Sequence, residues 1–257
     1  MSRNFELLQK LGKELDIFEP DAETEIAAAV EQPQDVETAP AKPPRFDMDP
    51  RQRDEVTKLV QRVFLVSESG ASRVVTFCAL EPGSDSSWIC SRAAEMLAAQ
   101  VAGTVCVVDA NFVEPSLHLQ FGTDCENGLT DALQHSDPIQ RYLRPSGVRN
   151  LRFLSCGGEA QEWQSQLGSD RMRARLAELR AEFDYVLIDA PALNPSNDVM
   201  ALGHASEGVV LVLKANSSRR EVARKAVKDF ENASVRVLGA VLSHRTFPIP
   251  ERIYKKL

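Results

Sequence analysis

From about residue 47 onward the chain alternates short, continuously apolar runs with longer amphipathic stretches. Asp49-Pro50 is a favourable helix start, and Val56, Leu59, Val60 and Val63 follow at helical spacing. The pattern then predicts a strand at 73–79, a helix over about 85–101 closed by Gly103, and a strand at 104–109. A further strand is expected at 151–155, and Ser169 is placed to cap a helix running to about residue 182. Strands at 184–189 and 208–213, a helix at 218–230 and a last strand at 235–242 complete the series. Apolar strands separated by helices imply an α/β fold, with a doubly wound, mostly parallel sheet flanked by helices. Residues 46–257 are read as one such domain.

Upstream the pattern changes. Phe5, Leu8, Leu11, Leu15 and Phe18 form a stripe on an amphipathic N-terminal helix, 1–18, which Ser2 would cap. Its polar face mixes Lys10 and Lys13 with Glu6, Glu14 and Asp16, which favours docking on protein over an anionic membrane. Residues 19–45 hold five prolines and an acidic excess, and are expected to be a disordered acidic, Pro-rich linker. Ten acids against five bases lie in 1–45, so the tail accounts for −5 of the chain's net charge of −7.

That near-neutral remainder argues against a general nucleic-acid binder, which needs a basic surface. No apolar run approaches the ~20 residues that span a bilayer, and the N-terminus lacks the apolar core of a secretory signal. A cytoplasmic protein is expected. Five cysteines (Cys78, Cys90, Cys106, Cys125 and Cys156) are scattered without metal or redox spacing and read as reduced and structural. The four histidines (His118, His135, His204 and His244) show no metal spacing either.

In a sheet of this kind ligands bind beyond the carboxyl ends of the strands. Three such ends stand out: the glycine turn after 74–79, Asp109 closing VCVVD, and Asp189 closing YVLID. A strand-loop-helix followed by two apolar strands ending in Asp is the layout of a P-loop nucleotide site. There, backbone amides hold phosphates and carboxylates hold Mg²⁺ through water.

The residues in 51–257 resemble the P-loop tyrosine autokinases of bacterial capsule and exopolysaccharide synthesis, of the CpsD/CapB type and related to the MinD/ParA ATPases. The resemblance is carried by VVDANFVEPSLHLQFG with the following GLTDAL (128–133), and by FDYVLIDAPAL with Asp198 downstream. The closing VLSHRTFPIPERIYKKL is also similar to family members from exopolysaccharide gene clusters. Pro115, Leu117, His118, Phe121 and Gly122 match the family's segment, with His118 read as structural. The resemblance places Asp109 and Asp189 on the catalytic, metal-site aspartates, and Ser87 on the hydroxyl that joins them at Mg²⁺.

The phosphate loop departs from the family form PGEGKST. Here it reads Pro82, Gly83, Ser84, Asp85, Ser86, Ser87, Trp88, so Asp85 stands for the last loop glycine and Ser86 for the phosphate-binding lysine. Asn111 and Val113 replace an aspartate and an arginine of the second motif, and the tyrosine-rich tail is reduced to Tyr254. Losing a charged phosphate contact costs about 1.5–3 kcal/mol. A carboxylate ~4 Å from a phosphate adds roughly 4 kcal/mol of repulsion at an effective dielectric of 20. Together these remove three or more decades of affinity.

Asp85 is instead expected to act as a built-in anion at the phosphate position, with Ser84, Asp85 and Ser86 all suited to capping the next helix. Lys214, at the end of the 208–213 strand, is a candidate substitute phosphate ligand. Arg219 and Arg220 open the following helix against its dipole, which fits either a solvated face or a nearby anion or acidic partner.

Three readings stay open. The first is a degenerate kinase-like protein without conventional ATP turnover and with no cofactor expected, regulating or scaffolding polysaccharide synthesis and export. Its implied partners are a membrane polysaccharide co-polymerase or an active kinase homologue, captured by the tethered N-terminal helix, with further copies of itself also open. The second is an active autokinase using ATP and Mg²⁺, with Tyr254 as phosphoacceptor. The third is a MinD-like ATPase that associates peripherally with the inner membrane through residues 248–257.

Overall fold

The computed structural model describes residues 48–65, 73–158, 166–193 and 198–245. The expected N-terminal helix at 1–18, the linker at 19–45 and Tyr254 lie outside the described residues.

Helix α1 (Pro50–Val60) opens with a reciprocal cap: Gln52 N donates to Asp49 Oδ1 at 2.8 Å, and Asp49 N donates to Gln52 Oε1 at 3.0 Å. A π-helical turn, Gln61–Leu65, continues it and buries Val63 and Phe64. Then follow β1 (Val74–Ala79), α2 (Ser86–Gln100) and β2 (Val105–Asp109). Two short helices, α3 (Leu117–Phe121) and α4 (Leu129–Gln134), precede a 3₁₀ turn at Ile139–Tyr142. Strands β3 (Leu143–Pro145) and β4 (Leu151–Leu154) lead to α5 (Asp170–Glu182), which Ser169 caps by accepting from Met172 N at 3.1 Å. The chain continues through β5 (Tyr185–Asp189), α6 (Asp198–Ala205), β6 (Val209–Lys214), α7 (Arg220–Asn232) and β7 (Val237–Ser243).

The strands form one seven-stranded sheet in the order β3-β4-β2-β5-β1-β6-β7. Every neighbouring pair is parallel except β3 and β4. The edge strand β3 escaped the sequence reading because three residues, one of them Pro145, carry no periodic signal. The other expected strands form within one or two residues of their predicted limits.

Alternation along β1 divides the core. Val74 and Cys78 face a cluster with α4, α5, α6 and Phe230 of α7. Val75 and Phe77 face the other side, against Val60, Phe64, Ala93 and Leu97 of α1, its π turn and α2. Both faces being covered explains why β1, β2 and β5 are nearly uninterrupted apolar runs. The register of β1, β5 and β2 sets Phe77 beside Asp189, and Asp189 beside Asp109. The two aspartates therefore end adjacent central strands, next to the loop that follows β1.

Candidate functional site

The loop after β1 holds two residues in left-handed backbone conformation, Gly83 (φ 73°) and Asp85 (φ 56°). Aspartate tolerates this region better than most residues with a Cβ. The loop therefore keeps its turn where the resemblance would place a glycine. Ser84 Oγ donates to Glu81 O at 2.7 Å and closes the turn.

Asp85 stands at the N-cap of α2, and its carbonyl accepts the first helical bond, from Ile89 N at 3.0 Å. Its carboxylate, however, makes no hydrogen bond to the helix end. Oδ2 lies 3.1 Å from His244 Nδ1, just beyond β7. The expected side-chain cap is therefore absent, and the carboxylate instead makes a contact across the sheet end while still lining the cleft. The physical reason is the left-handed backbone, which differs from the extended conformation of an ordinary capping residue. Nothing in the sequence signalled this partner, 159 residues away.

Asp109 and Asp189 are both fully buried. Asp109 accepts from Asn111 N through Oδ1 and from Leu117 N through Oδ2, each at 3.1 Å. It thus braces the loop between β2 and α3. The hydroxyls of Ser87 and Ser86 face Asp189, with Ser86 Oγ 3.4 Å from Oδ1. Asp189 Oδ2 has no well-formed hydrogen bond among the described residues.

Burial pushes both carboxyls above the ordinary carboxylate range, and the charge of Asp109 raises Asp189 further. Backbone donors at Leu117 and Asn111 oppose the shift of Asp109. A paired, desolvated and partly unsatisfied carboxylate site fits a hard divalent cation, since such ions take oxygen ligands. Among the described residues there is no group of three or more His, Cys, Asp and Glu side chains that could hold a metal. Ser87, Asp109 and Asp189 would be the donors for Mg²⁺.

Next to the loop lies a cleft of about 380 Å³, lined by residues 82–88 together with Asn111, Val113, Glu114 and 190–193 among others. Its charged lining residues are Asp85 and Glu114, and none of its described lining residues is lysine, arginine or histidine. Trp88 also lines it, and Val113 is exposed at its rim. The fold thus lines the cleft with Pro82, Gly83, Ser84, Asp85, Ser86 and Ser87 and sets Ser86 and Ser87 against Asp189, beside Asp109, while neither aspartate is itself among the lining residues. Lys214 is not among that lining; it belongs to a separate cleft with Ser218 and Arg220. Glu114 was missed in the sequence because only the folded loop carries it to the rim. Burial raises the thiols of Cys78, Cys90, Cys106 and Cys156, in keeping with structural cysteines.

Sheet order, strand-end aspartates and the loop before α2 define a P-loop NTPase-like α/β protein. No family model matches the chain. The relatives it matches include bacterial tyrosine-protein kinases and a succinoglycan biosynthesis transport protein. It is 27% identical to the tyrosine-protein kinase YwqD of Bacillus subtilis over 145 residues, 56% of this chain and 61% of that protein. It is also 27% identical to the succinoglycan biosynthesis transport protein ExoP of Rhizobium meliloti over 180 residues, 67% of this chain and 22% of that protein. The chain thus spans less than two thirds of the length of either relative.

Among solved structures, the chimerical protein CapA2B2 superposes with a TM-score of 0.72 at 19% identity, covering 79% of this chain and 88% of the other. The septum site-determining protein MinD of Pyrococcus horikoshii, complexed with Mg-ADP, superposes with a TM-score of 0.57 at 21% identity, covering 71% and 76%. These likenesses establish the fold.

Proposed function

We propose that this chain is a binding protein built on a P-loop tyrosine-kinase fold, regulating or scaffolding bacterial exopolysaccharide or capsule synthesis and export without conventional ATP turnover. The observation that carries the reading is the charge of the cleft. Ser86 stands at the lysine position, Asp85 at the glycine position, and Asp85 and Glu114 are the charged residues of the described lining. Among the described lining residues a nucleotide's phosphates would meet two carboxylates and no lysine or arginine, which reverses the electrostatics phosphate binding requires.

The partners that fit are a membrane polysaccharide co-polymerase or an active kinase homologue. Residues 1–18 on the 19–45 linker would serve as a tethered docking segment, and the protein would be cytoplasmic and peripheral at the inner membrane through its partner. Among the described residues no helix is long and apolar enough to cross a membrane. Calorimetric titration of ATP and ADP with Mg²⁺ tests the reading. No heat attributable to this cleft is expected at millimolar nucleotide. Micromolar binding abolished by Asp109→Ala would overturn it.

One observation favours a second reading, an active kinase. The pair Asp109 and Asp189 persists with an unsatisfied Oδ2, and Ser87 remains beside it. If Mg²⁺ binds there, it would supply charge stabilisation for phosphoryl transfer. Phosphate incorporation at Tyr254 on a phosphate-affinity gel, lost with Asp109→Ala, would establish that reading instead.

A further inference from the structure

The two edges of the sheet are built differently. At one edge β3 has three residues and ends in Pro145, a strand too short and too poor in donors to recruit another. At the other edge β7 runs for seven residues, VLGAVLS, without a charge or a proline. Among the described residues its strand partner is β6, on one side. A bulge sets Leu238 out of register at its start, and from Gly239 to Ser243 the ladder with β6 is regular.

Ser243 O accepts from Ala215 N at 3.0 Å, so the backbone of Ser243 faces β6. Successive residues of a strand turn their N–H and C=O groups to opposite sides. Those of Ala240 and Leu242 therefore point away from β6 and are placed to pair with a further strand. Ala240 and Leu242 lie level with Leu211 and Leu213 and share their face of the sheet, where Leu211 packs with Phe230 of α7. Yet Ala240 is exposed, Leu242 is 55% exposed, and Val222 on α7 is 41% exposed. Helix α7 thus stops short of covering its outer strand, and the apolar positions left open border an edge without charge.

We propose that β7 is a dimerisation edge: two copies of this chain pair their β7 strands antiparallel about a two-fold axis beside Val241, so that one sheet continues into the other. The axis sets Ala240 opposite the partner's Leu242 and Leu242 opposite the partner's Ala240, each a reciprocal hydrogen-bonded pair, and no like charges meet along the strand. Helix α7 argues for a second copy as the occupant. As the crossover between β6 and β7 it lies over their junction, so the axis brings the two α7 helices antiparallel at about two strand spacings, roughly 10 Å, which is the distance at which helices pack. Its first half carries Arg220, Arg224 and Lys225 against Glu221, and its second half Asp229 and Glu231 against Lys228. Antiparallel packing sets the basic half of each helix beside the acidic half of the other. The exposed Leu242 and Val222 lie where that packing would cover them.

Sedimentation equilibrium of the full chain tests the proposal, with a dimer expected at micromolar concentration. Ala240→Pro removes an N–H that faces away from β6, and Leu242→Lys places a charge on the open edge. Each should raise the dimer dissociation constant at least tenfold while leaving the circular dichroism spectrum unchanged; if the proline variant fails to fold, the lysine variant carries the test. Val241 faces itself across the axis in a non-hydrogen-bonded pair, with Cα atoms about 4.5 Å apart. Val241→Cys should therefore yield, on mild oxidation, a disulfide-linked dimer beyond any formed by the unchanged chain. A chain that stays monomeric at its highest soluble concentration overturns the proposal. So does a dimer unaffected by Leu242→Lys, or one that Val241→Cys does not cross-link.

Discussion

His244 Nδ1 lies 3.1 Å from Asp85 Oδ2, joining the residue just past β7 to the N-cap of α2. Both residues have left-handed backbone, with φ of 53° and 56°. Two turns from opposite ends of the domain therefore meet above the sheet's carboxyl edge. About half of each side chain remains exposed, so the contact orients the loop more than it stabilises the fold.

His244→Ala should change unfolding free energy by no more than about 1 kcal/mol, as for other exposed pairs. Asp85→Gly should be neutral or slightly stabilising, since glycine adopts the left-handed conformation freely. Urea titration of both variants measures this. A loss well beyond that range in either would mean the contact carries structural weight.

Combining Asp85→Gly with Ser86→Lys restores the two missing phosphate elements. Nucleotide affinity should rise by three or more decades, because a charged contact is gained and a repulsion removed (about 5.5–7 kcal/mol together). Calorimetry with ADP and Mg²⁺ reads the result. A variant that folds and still ignores nucleotide would place the block in Trp88 or Glu114 instead.

Asp109 and Asp189 have folded-state affinities for protons above those of the unfolded chain. The folded state thus binds more protons, and stability falls as pH rises from about 4 through the raised folded values. Buried Glu95, pushed up to about 7 by desolvation that outweighs nearby Arg92, adds to the same slope. The melting temperature should be higher at mildly acidic than at mildly alkaline pH. Asp189→Asn should raise it at alkaline pH and flatten the profile. An unchanged slope would remove the pair as its cause.

Arg92 and Glu95 form a pair inside α2, Nη1 to Oε2 at 2.7 Å, both almost fully buried. Removing one partner leaves a buried charge, so Arg92→Met should lose about 3 kcal/mol, whereas Arg92→Met/Glu95→Leu should recover most of it. Denaturant unfolding of the single and double variants decides the matter.

Gly128 precedes α4 with no space for a side chain: a Cβ there would sit 2.3 Å from Ser155 O and 2.4 Å from Gly157 N. Both neighbours are backbone atoms and cannot turn aside. Gly128→Ala should therefore lose about 3 kcal/mol or more and lower the melting temperature markedly. A near-neutral result would mean that the junction of β4 and α4 can separate.

The sequence by itself determined the layers. Runs such as VVTFCA and YVLID can only be buried on both faces, and the capping signals at Asp49 and Ser169 act within three residues, so their geometry is local. The P-loop position and the two strand-end aspartates were legible for the same reason: each closes a continuous apolar run. Tertiary structure alone decided which charges share a space. Asp85 faces His244, Glu114 turns into the cleft, and Lys214 joins Arg220 and Arg245 in another. Those meetings depend on strand order, which carries β6 and β7 to one side of β1 and β5 and β2 to the other. No pattern of short range encodes that order, because parallel neighbours are joined through crossovers and contact one another only after the sheet has formed.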